Sequence, residues 1–274
     1  MRISEIYIER VGEHGRTAAR DQVAVEEPLE IRLVYWFKAQ RKARTVAVTM
    51  RTPGHDAELA LGFLVTEGVV RSATDVLSIH PGGLPPHNEI QVELAPEVEV
   101  DWTRLERHFY TASSCGVCGK TSLDALEIRS SEIPSANCLT VPATLIQSLP
   151  AKLRAAQEAF DQTGGLHAAG LFDAAGDLQL VREDVGRHNA LDKIIGASLQ
   201  AGKTPLAGNV LLLSGRASFE LLQKSLSAGI PVVAAVGAPS SLAVELAERF
   251  QITLLGFVRG QQFNVYTCGW RISS

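Results

Sequence analysis

Over the first hundred positions, apolar residues recur with a period of two. Leu29-Glu30-Ile31-Arg32-Leu33-Val34-Tyr35, Thr45-Val46-Ala47-Val48-Thr49-Met50 and Ile90-Gln91-Val92-Glu93-Leu94 predict half-buried strands. Arg51-Thr52-Pro53-Gly54 breaks the chain after the second of these. Asp56 is placed to cap a helix running through Leu59, Leu61 and Leu64 to about Glu67, and Gly68 is placed to end it. Pro81 to His87 reads as a turn-rich loop, and Arg107 to Thr111 as a further strand. Pro134 to Pro142 reads as a hinge, followed by a helix from about Ala143 to Ala159.

The pattern then changes. Gly165 to Phe172 and Gly176 to Val181 predict a hairpin, and Val185 to Leu199 a helix. Strands at Asn209–Leu213 and Val232–Val236 alternate with helices at Ser218–Ala228 and Ser241–Phe250. Strands Ile252–Val258 and Asn264–Thr267 close the chain. Apolar strands alternating with helices predict a mostly parallel sheet covered on both faces. The expected fold is therefore α/β: a smaller α+β domain over 1–140, then a three-layer α/β domain over 141–274.

The chain has 274 residues, 46% hydrophobic and 20% charged, enough for one large domain or two modest ones. Its net charge is -4 and no basic run is present, so no nucleic-acid partner is expected. The longest apolar runs fall far short of the roughly 18 residues of a spanning helix. The start, Met1 to Glu9, carries acids where a signal peptide needs an apolar core. These features predict a cytoplasmic protein without membrane segments. Its four cysteines are expected as thiols rather than as a disulfide framework.

Two of those cysteines stand in Ser113-Ser114-Cys115-Gly116-Val117-Cys118-Gly119. A pair three positions apart on a glycine-rich turn suits sulfur chemistry better than core packing. A helix is expected just after it, with Thr121 or Ser122 as cap. Helix-start N–H groups and Lys120 favour thiolate over thiol at such a position. The residues alone leave three chemistries open: a redox disulfide, half of a zinc site, or a carrier of activated sulfur. A structural zinc site wants four ligands, and Cys138 and Cys268 form no second close-spaced pair. A thioredoxin-like motif lacks its βαβ surroundings here.

In open α/β sheets, ligands sit at the carboxyl ends of strands. Two turns there are suited to it. Ser214-Gly215-Arg216-Ala217-Ser218 offers hydroxyls, close backbone approach and a bidentate guanidinium, and Gly237-Ala238-Pro239-Ser240-Ser241 repeats the idea one βα unit later. The plainer reading, tight turns and helix caps, carries about equal weight. A third candidate, Arg182-Glu183-Asp184-Val185-Gly186-Arg187-His188-Asn189-Ala190-Leu191-Asp192-Lys193, places Arg182, Arg187, His188, Asn189 and Lys193 around the start of a helix, with Asp184 and His188 one turn apart, where they can pair. A solvated helix face capped by Asp184 is the plainer reading there. His167, in Thr163-Gly164-Gly165-Leu166-His167, reads as a structural histidine. Zinc deamination is excluded, because no H-x-E and later P-C-x-x-C occur, although the βα order is similar to that fold. In the tail, Phe257 and Phe263 are available for stacking and Arg259 for an anion, against a hairpin with buried phenylalanines.

Taken together, these segments resemble the FdhD/NarQ family, sulfur carriers required for formate dehydrogenase activity. The segments are the cysteine loop, Thr163 to His167, Arg182 to Lys193, Ser214-Gly215-Arg216 and Phe257 to Tyr266, in the family's order, with Glu27-Pro28-Leu29 and Arg51 to Gly54 near the front. The resemblance implies a sulfurtransferase with a cysteine persulfide intermediate. Sulfur is received from a cysteine desulfurase on Cys115, with Cys118 as its catalytic neighbour. It is passed to the molybdenum cofactor, Mo-bis(molybdopterin guanine dinucleotide), held as substrate for formate dehydrogenase. The resemblance further implies a cytidine-deaminase-like second domain without zinc and a homodimer. It also implies a cofactor-binding stretch over Phe257, Val258, Arg259, Gly260, Gln261 and Gln262. Ser214, Gly215 and Arg216 join that set as phosphate-friendly residues, for which GDP or a related guanine nucleotide would be a mimic. A chaperone that binds the cofactor without sulfur chemistry is the alternative.

Overall fold

A computed structural model describes residues 2–13, 15–83, 87–103, 105 and 139–274. The cysteine loop, Cys138, the strand expected at 107–111, the helix expected after Thr121 and most of the hinge expected from Pro134 lie outside the described residues.

The chain opens with a hairpin that the alternation did not reveal, β1 (Ile3–Gly12) against β2 (Gly15–Ala24), antiparallel over its whole length. Both of its faces are largely exposed, so it carries no apolar stripe for a sequence pattern to show. The three alternating segments fall in β3 (Glu27–Phe37), β4 (Gln40–Arg51) and β6 (Glu89–Leu94), as expected. With β5 (Val76–Gly82), which takes in part of the loop expected from Pro81, they form a four-stranded sheet in the order β4-β3-β6-β5. Leu29, Ile31, Leu33, Ile90 and Val92 bury one face of it against α1 (Asp56–Thr66).

Asp56 does not cap α1. His55 holds the cap position in a left-handed conformation, φ 59°, while both Asp56 oxygens take Arg51 Nε and Nη2 at 3.0 Å. A bidentate charge-assisted pair outcompetes a backbone cap. Gly68, at φ +73°, ends the helix region as expected.

After β7 (Val141–Pro142), the helix expected to Ala159 stops early. It is split into α2 (Ala143–Ala155) and α3 (Glu158–Thr163). The cause lies in a distant strand: the Glu183 carboxylate accepts the N–H groups of Ala159 at 3.0 Å and Phe160 at 2.8 Å and restarts the helix there.

The remaining elements are β8 (His167–Phe172), β9 (Leu178–Asp184), α4 (Arg187–Gln200), β10 (Val210–Leu213), α5 (Phe219–Ser227), β11 (Val232–Ala235), α6 (Ser241–Arg249), β12 (Thr253–Arg259), β13 (Gln262–Thr267) and β14 (Ile272–Ser273). Six of these strands form one sheet in the order β13-β12-β11-β10-β8-β9. This sheet is mixed, not mostly parallel as expected. Only β10-β11 and β11-β12 are parallel, the two steps made by the crossover helices α5 and α6. β8-β9 and β12-β13 are hairpins, and β8 lies antiparallel to β10. Both faces are covered. Leu171, Leu213, Val233 and Leu254 pack under α4, α5 and α6, while Phe172, Leu212, Val232 and Leu255 pack under α2.

Helices α1 and α4 meet at backbone contact. A Cβ on Gly62 would lie 1.8 Å from the Asp192 carbonyl oxygen, and one on Gly196 would lie 1.9 Å from that of Glu58. Among the described residues, no helix is long and apolar enough to cross a membrane.

Candidate functional site

The stretch 182–193 holds the contact between α1 and α4. Arg182 donates to both Glu58 oxygens, at 2.5 and 2.7 Å. Burial alone would raise the Glu58 carboxyl, but hydrogen bonds from Arg182 and His55 hold it down at about 2. Asp184, fully buried, pairs with Lys193 at 2.7 Å and accepts N–H groups from Thr52, Gly186 and Asn189. Lys193 also donates to the Thr52 carbonyl at 3.0 Å. Burial lowers the Lys193 ammonium pKa, against the pull of Asp184. Asn189 donates to the Met50 carbonyl at 2.8 Å. Asp192 takes Lys224 at 2.9 Å, with the Thr66 hydroxyl beside them. The expected Asp184–His188 pair does not form, because Lys193 and these N–H groups already take both carboxylate oxygens. Nor is Asp184 the cap of a solvated face. The capping position of α4 is Gly186, and Asp184 lies in the interior.

A second set of groups gathers at the carboxyl ends of β10, β11 and β12, where the βα order predicted a site. Main-chain hydrogen bonds tie three loops into one row. The Gly237 N–H donates to the Gly215 carbonyl at 3.0 Å, and the Phe257 N–H to the Gly237 carbonyl at 3.1 Å. Ser214-Gly215-Arg216 and the Phe257 stretch are thus brought side by side. Because β8 runs antiparallel to β10, its first residue, His167, reaches the same edge. The space above Gly215 is closed by the His167 ring, whose Nδ1 would stand 3.4 Å from a Cβ placed there.

The predicted residues divide by role within this row. Ser214 Oγ accepts the Ala168 N–H at 2.8 Å, which extends the β8–β10 pairing. Arg216 is exposed. Ser240 caps α6 by accepting the Ala243 N–H, the plainer role considered for it. Phe257 is half-buried in the left-handed region, φ 53°, with the exposed Arg259 guanidinium 5.5 Å from its ring centroid. The Val258 side chain is buried in the core under α2, so only its main chain faces the row. Gly260 and Gln261 turn the chain from Arg259 to Gln262, and the Gln261 carbonyl accepts Gln147 Nε2 at 2.8 Å. Phe263 packs at the edge of the α2 core, leaving Phe257 as the ring available for stacking.

Three members of the row lie in stretches for which the plainer structural reading carried more weight from sequence: His167, Arg187 and His188. His188 Nε2 lies 3.3 Å from Ser218 Oγ and 3.4 Å from Glu220 Oε2. Burial pushes its pKa down to about 4 against the pull of Glu220, with Arg187, Lys224 and His167 adding to the fall. Burial and then Arg187 lower His167 as well. Arg187 therefore stands within electrostatic reach of both rings. The signal for this grouping was in the sequence: Arg187 and His188 open a helix directly after a strand that pairs with the strand begun by His167.

The row offers main-chain amides and carbonyls, two imidazoles, two exposed guanidiniums and one aromatic face. That set fits a ligand carrying an anion and a planar ring. Among the described residues, no group of three or more His, Cys, Asp or Glu is arranged to hold a metal. A separate cleft lined by Leu61, Val76, Leu77, Ile79 and Leu199 lies at the far end of α4, and its few polar groups do not converge.

The FdhD/NarQ family profile matches residues 24–273. The chain is 51% identical over 265 residues to the sulfur carrier protein FdhD of Mycolicibacterium paratuberculosis, covering 94% of each chain. It is 43% identical over 272 residues to that of Sulfolobus acidocaldarius, covering 99% of each. A crystal structure of a candidate formate dehydrogenase accessory protein from Desulfotalea psychrophila, 24% identical, matches with a TM-score of 0.76 over 100% of both chains. At that identity it speaks for the fold.

Proposed function

The chain belongs to the FdhD/NarQ family, and on that premise we propose that it is a sulfurtransferase acting as a sulfur carrier. It takes sulfane sulfur from a cysteine desulfurase on Cys115 and passes it to the bis(molybdopterin guanine dinucleotide) molybdenum cofactor, bound as substrate, for use by a formate dehydrogenase. The observation that carries this reading is the family match over 24–273, a span that contains Cys115 and Cys118, with relatives at 51% and 49% identity that are named sulfur carrier proteins.

One passage of sulfur uses the two thiols, and an external thiol reductant then returns the resulting disulfide to the dithiol. The Cys115 thiolate attacks the outer sulfur of the desulfurase persulfide. The old S–S bond breaks, the desulfurase thiolate leaves, and Cys115 holds a persulfide. The Cys118 thiolate then attacks the Cys115 sulfur. A Cys115–Cys118 disulfide forms and hydrosulfide leaves, taking the electron pair of the broken S–S bond and the proton on the outer sulfur.

In this reading the part over 1–140 presents the cysteine loop, and the part over 141–274, read as deaminase-like, holds the cofactor. Phe257 and Arg259 take a guanine ring, and Gly215, Arg216 and Gly237 lie along the phosphates. Support for this comes from the main-chain row that sets Phe257 beside Gly237 and Gly215, and from the closeness of Gly237 to Arg216, whose Cγ would lie 3.1 Å from an added Cβ. The protein is read as a cytoplasmic homodimer.

The test is intact mass after incubation with a cysteine desulfurase and cysteine. One added sulfur is expected on the wild type, lost on reduction and absent from Cys115→Ala. No added sulfur on any form, with guanine-nucleotide binding intact, would overturn the carrier role and leave a cofactor-holding chaperone.

A further inference from the structure

We propose that Arg187, His167 and His188 form a subsite for a phosphoryl oxyanion, placed where α4 begins beside the Ser214-Gly215-Arg216 turn. The inference rests on the nucleotide-binding reading above and extends it to residues outside the cofactor-binding set of Phe257 to Gln262 and Ser214 to Arg216.

The starting point is a charge without a counterpart. Elsewhere in 182–193 every charged group other than His188 has strong partners: Arg182 has Glu58, Glu183 has two helix-start N–H groups, Asp184 has Lys193, and Asp192 has Lys224. Arg187 has none of these. Its Nε is buried and makes no hydrogen bond among the described residues. The residue is half-buried, and a buried donor left without a partner is costly unless an acceptor completes it.

The neighbours are suited to completing such an anion site. Burial and the Arg187 charge keep both imidazoles neutral near pH 7, so each ring retains one N–H donor without adding a second fixed charge. No side chain caps the 14-residue helix α4 at Gly186. Two carboxylates bear on the group. Asp184 acts on His167 but is consumed by Lys193. Glu220 touches His188 at 3.4 Å, yet its side chain is 56% exposed and free to turn into solvent. A ligand with several oxygens on one tetrahedral centre matches a guanidinium edge flanked by separate N–H donors. A nucleoside diphosphate extended along the row toward Phe257 would supply it.

The experiment is isothermal titration of GDP, guanosine and inorganic pyrophosphate into the full chain, its Arg187→Gln variant and its His167→Gln variant. Arg187→Gln is expected to weaken GDP about 10- to 100-fold, the loss of one charge-assisted contact, while guanosine binding is unchanged. His167→Gln is expected to show a smaller loss in the same direction. Pyrophosphate is expected to displace GDP from the wild type. The proposal is overturned if Arg187→Gln leaves GDP affinity unchanged, or weakens GDP and guanosine alike. Should that variant fail to fold, lack of competition by pyrophosphate in the wild type overturns it equally. Wild type that binds no GDP defeats the nucleotide reading instead. Pyrophosphate binding that Arg187→Gln abolishes would in that case still establish the oxyanion subsite, with a free anion as its source.

Discussion

The seam between α1 and α4 and the row at the carboxyl ends of β10 to β12 draw on the same stretch, 182–193, and treat charge in opposite ways. In the seam, charges are buried and matched. Asp184 and Lys193 are 0% and 1% exposed and 2.7 Å apart. In the row, Arg187 has a buried Nε without a partner among the described residues, and Arg216 and Arg259 face solvent. Arg51 sharpens the contrast. It is 1% exposed, like a seam residue, and donates to Asp56, Glu27 and Asn88. A cation with partners from several elements is holding those elements together. A cation without a partner among the described residues holds no elements together there.

Three changes probe that division, in falling order of effect. Asp184→Ala should cost about 3–5 kcal/mol in urea unfolding, because it strands the Lys193 ammonium in the interior. A loss under about 1 kcal/mol would show that the seam charges are not architectural.

Next, His188 sits on the border between the two regions, and pH reads it. Its folded pKa of about 4 lies below the ordinary 6.5, so the folded chain binds fewer protons than the unfolded chain between those values. Its contribution is complete above pH 6.5 and is lost as pH falls through 4, a span of roughly 3 kcal/mol. His188→Gln should reduce the fall in stability between pH 6.5 and 4, in which His167, lowered by burial, acts in the same direction and Asp192, raised by burial to about 6, acts in the opposite one. The Glu58 limb should remain below it, present above about 4.5 and lost as pH falls through about 2. An unchanged profile between 6.5 and 4 would mean that burial does not suppress His188.

The smallest effect is expected from Arg259→Ala. Its only described contact is an exposed cation–π pair with Phe257, and thermal stability should move by less than about 0.5 kcal/mol. A loss of several times that would place Arg259 with the seam.

Much of this arrangement was legible in the chain. Period-two runs located β3, β4 and β6, and the βα order located the loops that form the row. The unread parts have specific physical causes. The β1–β2 hairpin buries no stripe. The break between α2 and α3 is made by Glu183, more than twenty residues further on. Asp184 and His188 have the spacing of a helical pair, yet Asp184 ends β9 and is claimed by a lysine one strand-to-helix turn away. Parallel pairing holds at the α5 and α6 crossovers, and the hairpin expected over 165–181 forms as β8–β9, but this hairpin joins the same sheet with β8 antiparallel to β10, and β12–β13 adds another antiparallel pair, so the sheet is mixed. For the helix break and for Asp184 the missing information is long-range, a partner chosen by tertiary packing rather than by local pattern.

The backbone contacts at Gly62 and Gly196 have a mechanical consequence. Where two helices touch through side chains, rotamer changes let one slide on the other. Here carbonyl oxygens occupy the places where Cβ atoms would stand, so the joint behaves as a key in a slot. A slip of one residue, about 1.5 Å of rise, would drive a neighbouring side chain into the opposing main chain. The first turn of α4, which carries Arg187 and His188, is therefore indexed to the four-stranded sheet at the other end of the joint. A ligand taken at that turn would have to be accommodated by the loops around it, because the joint itself has no adjacent setting to move to.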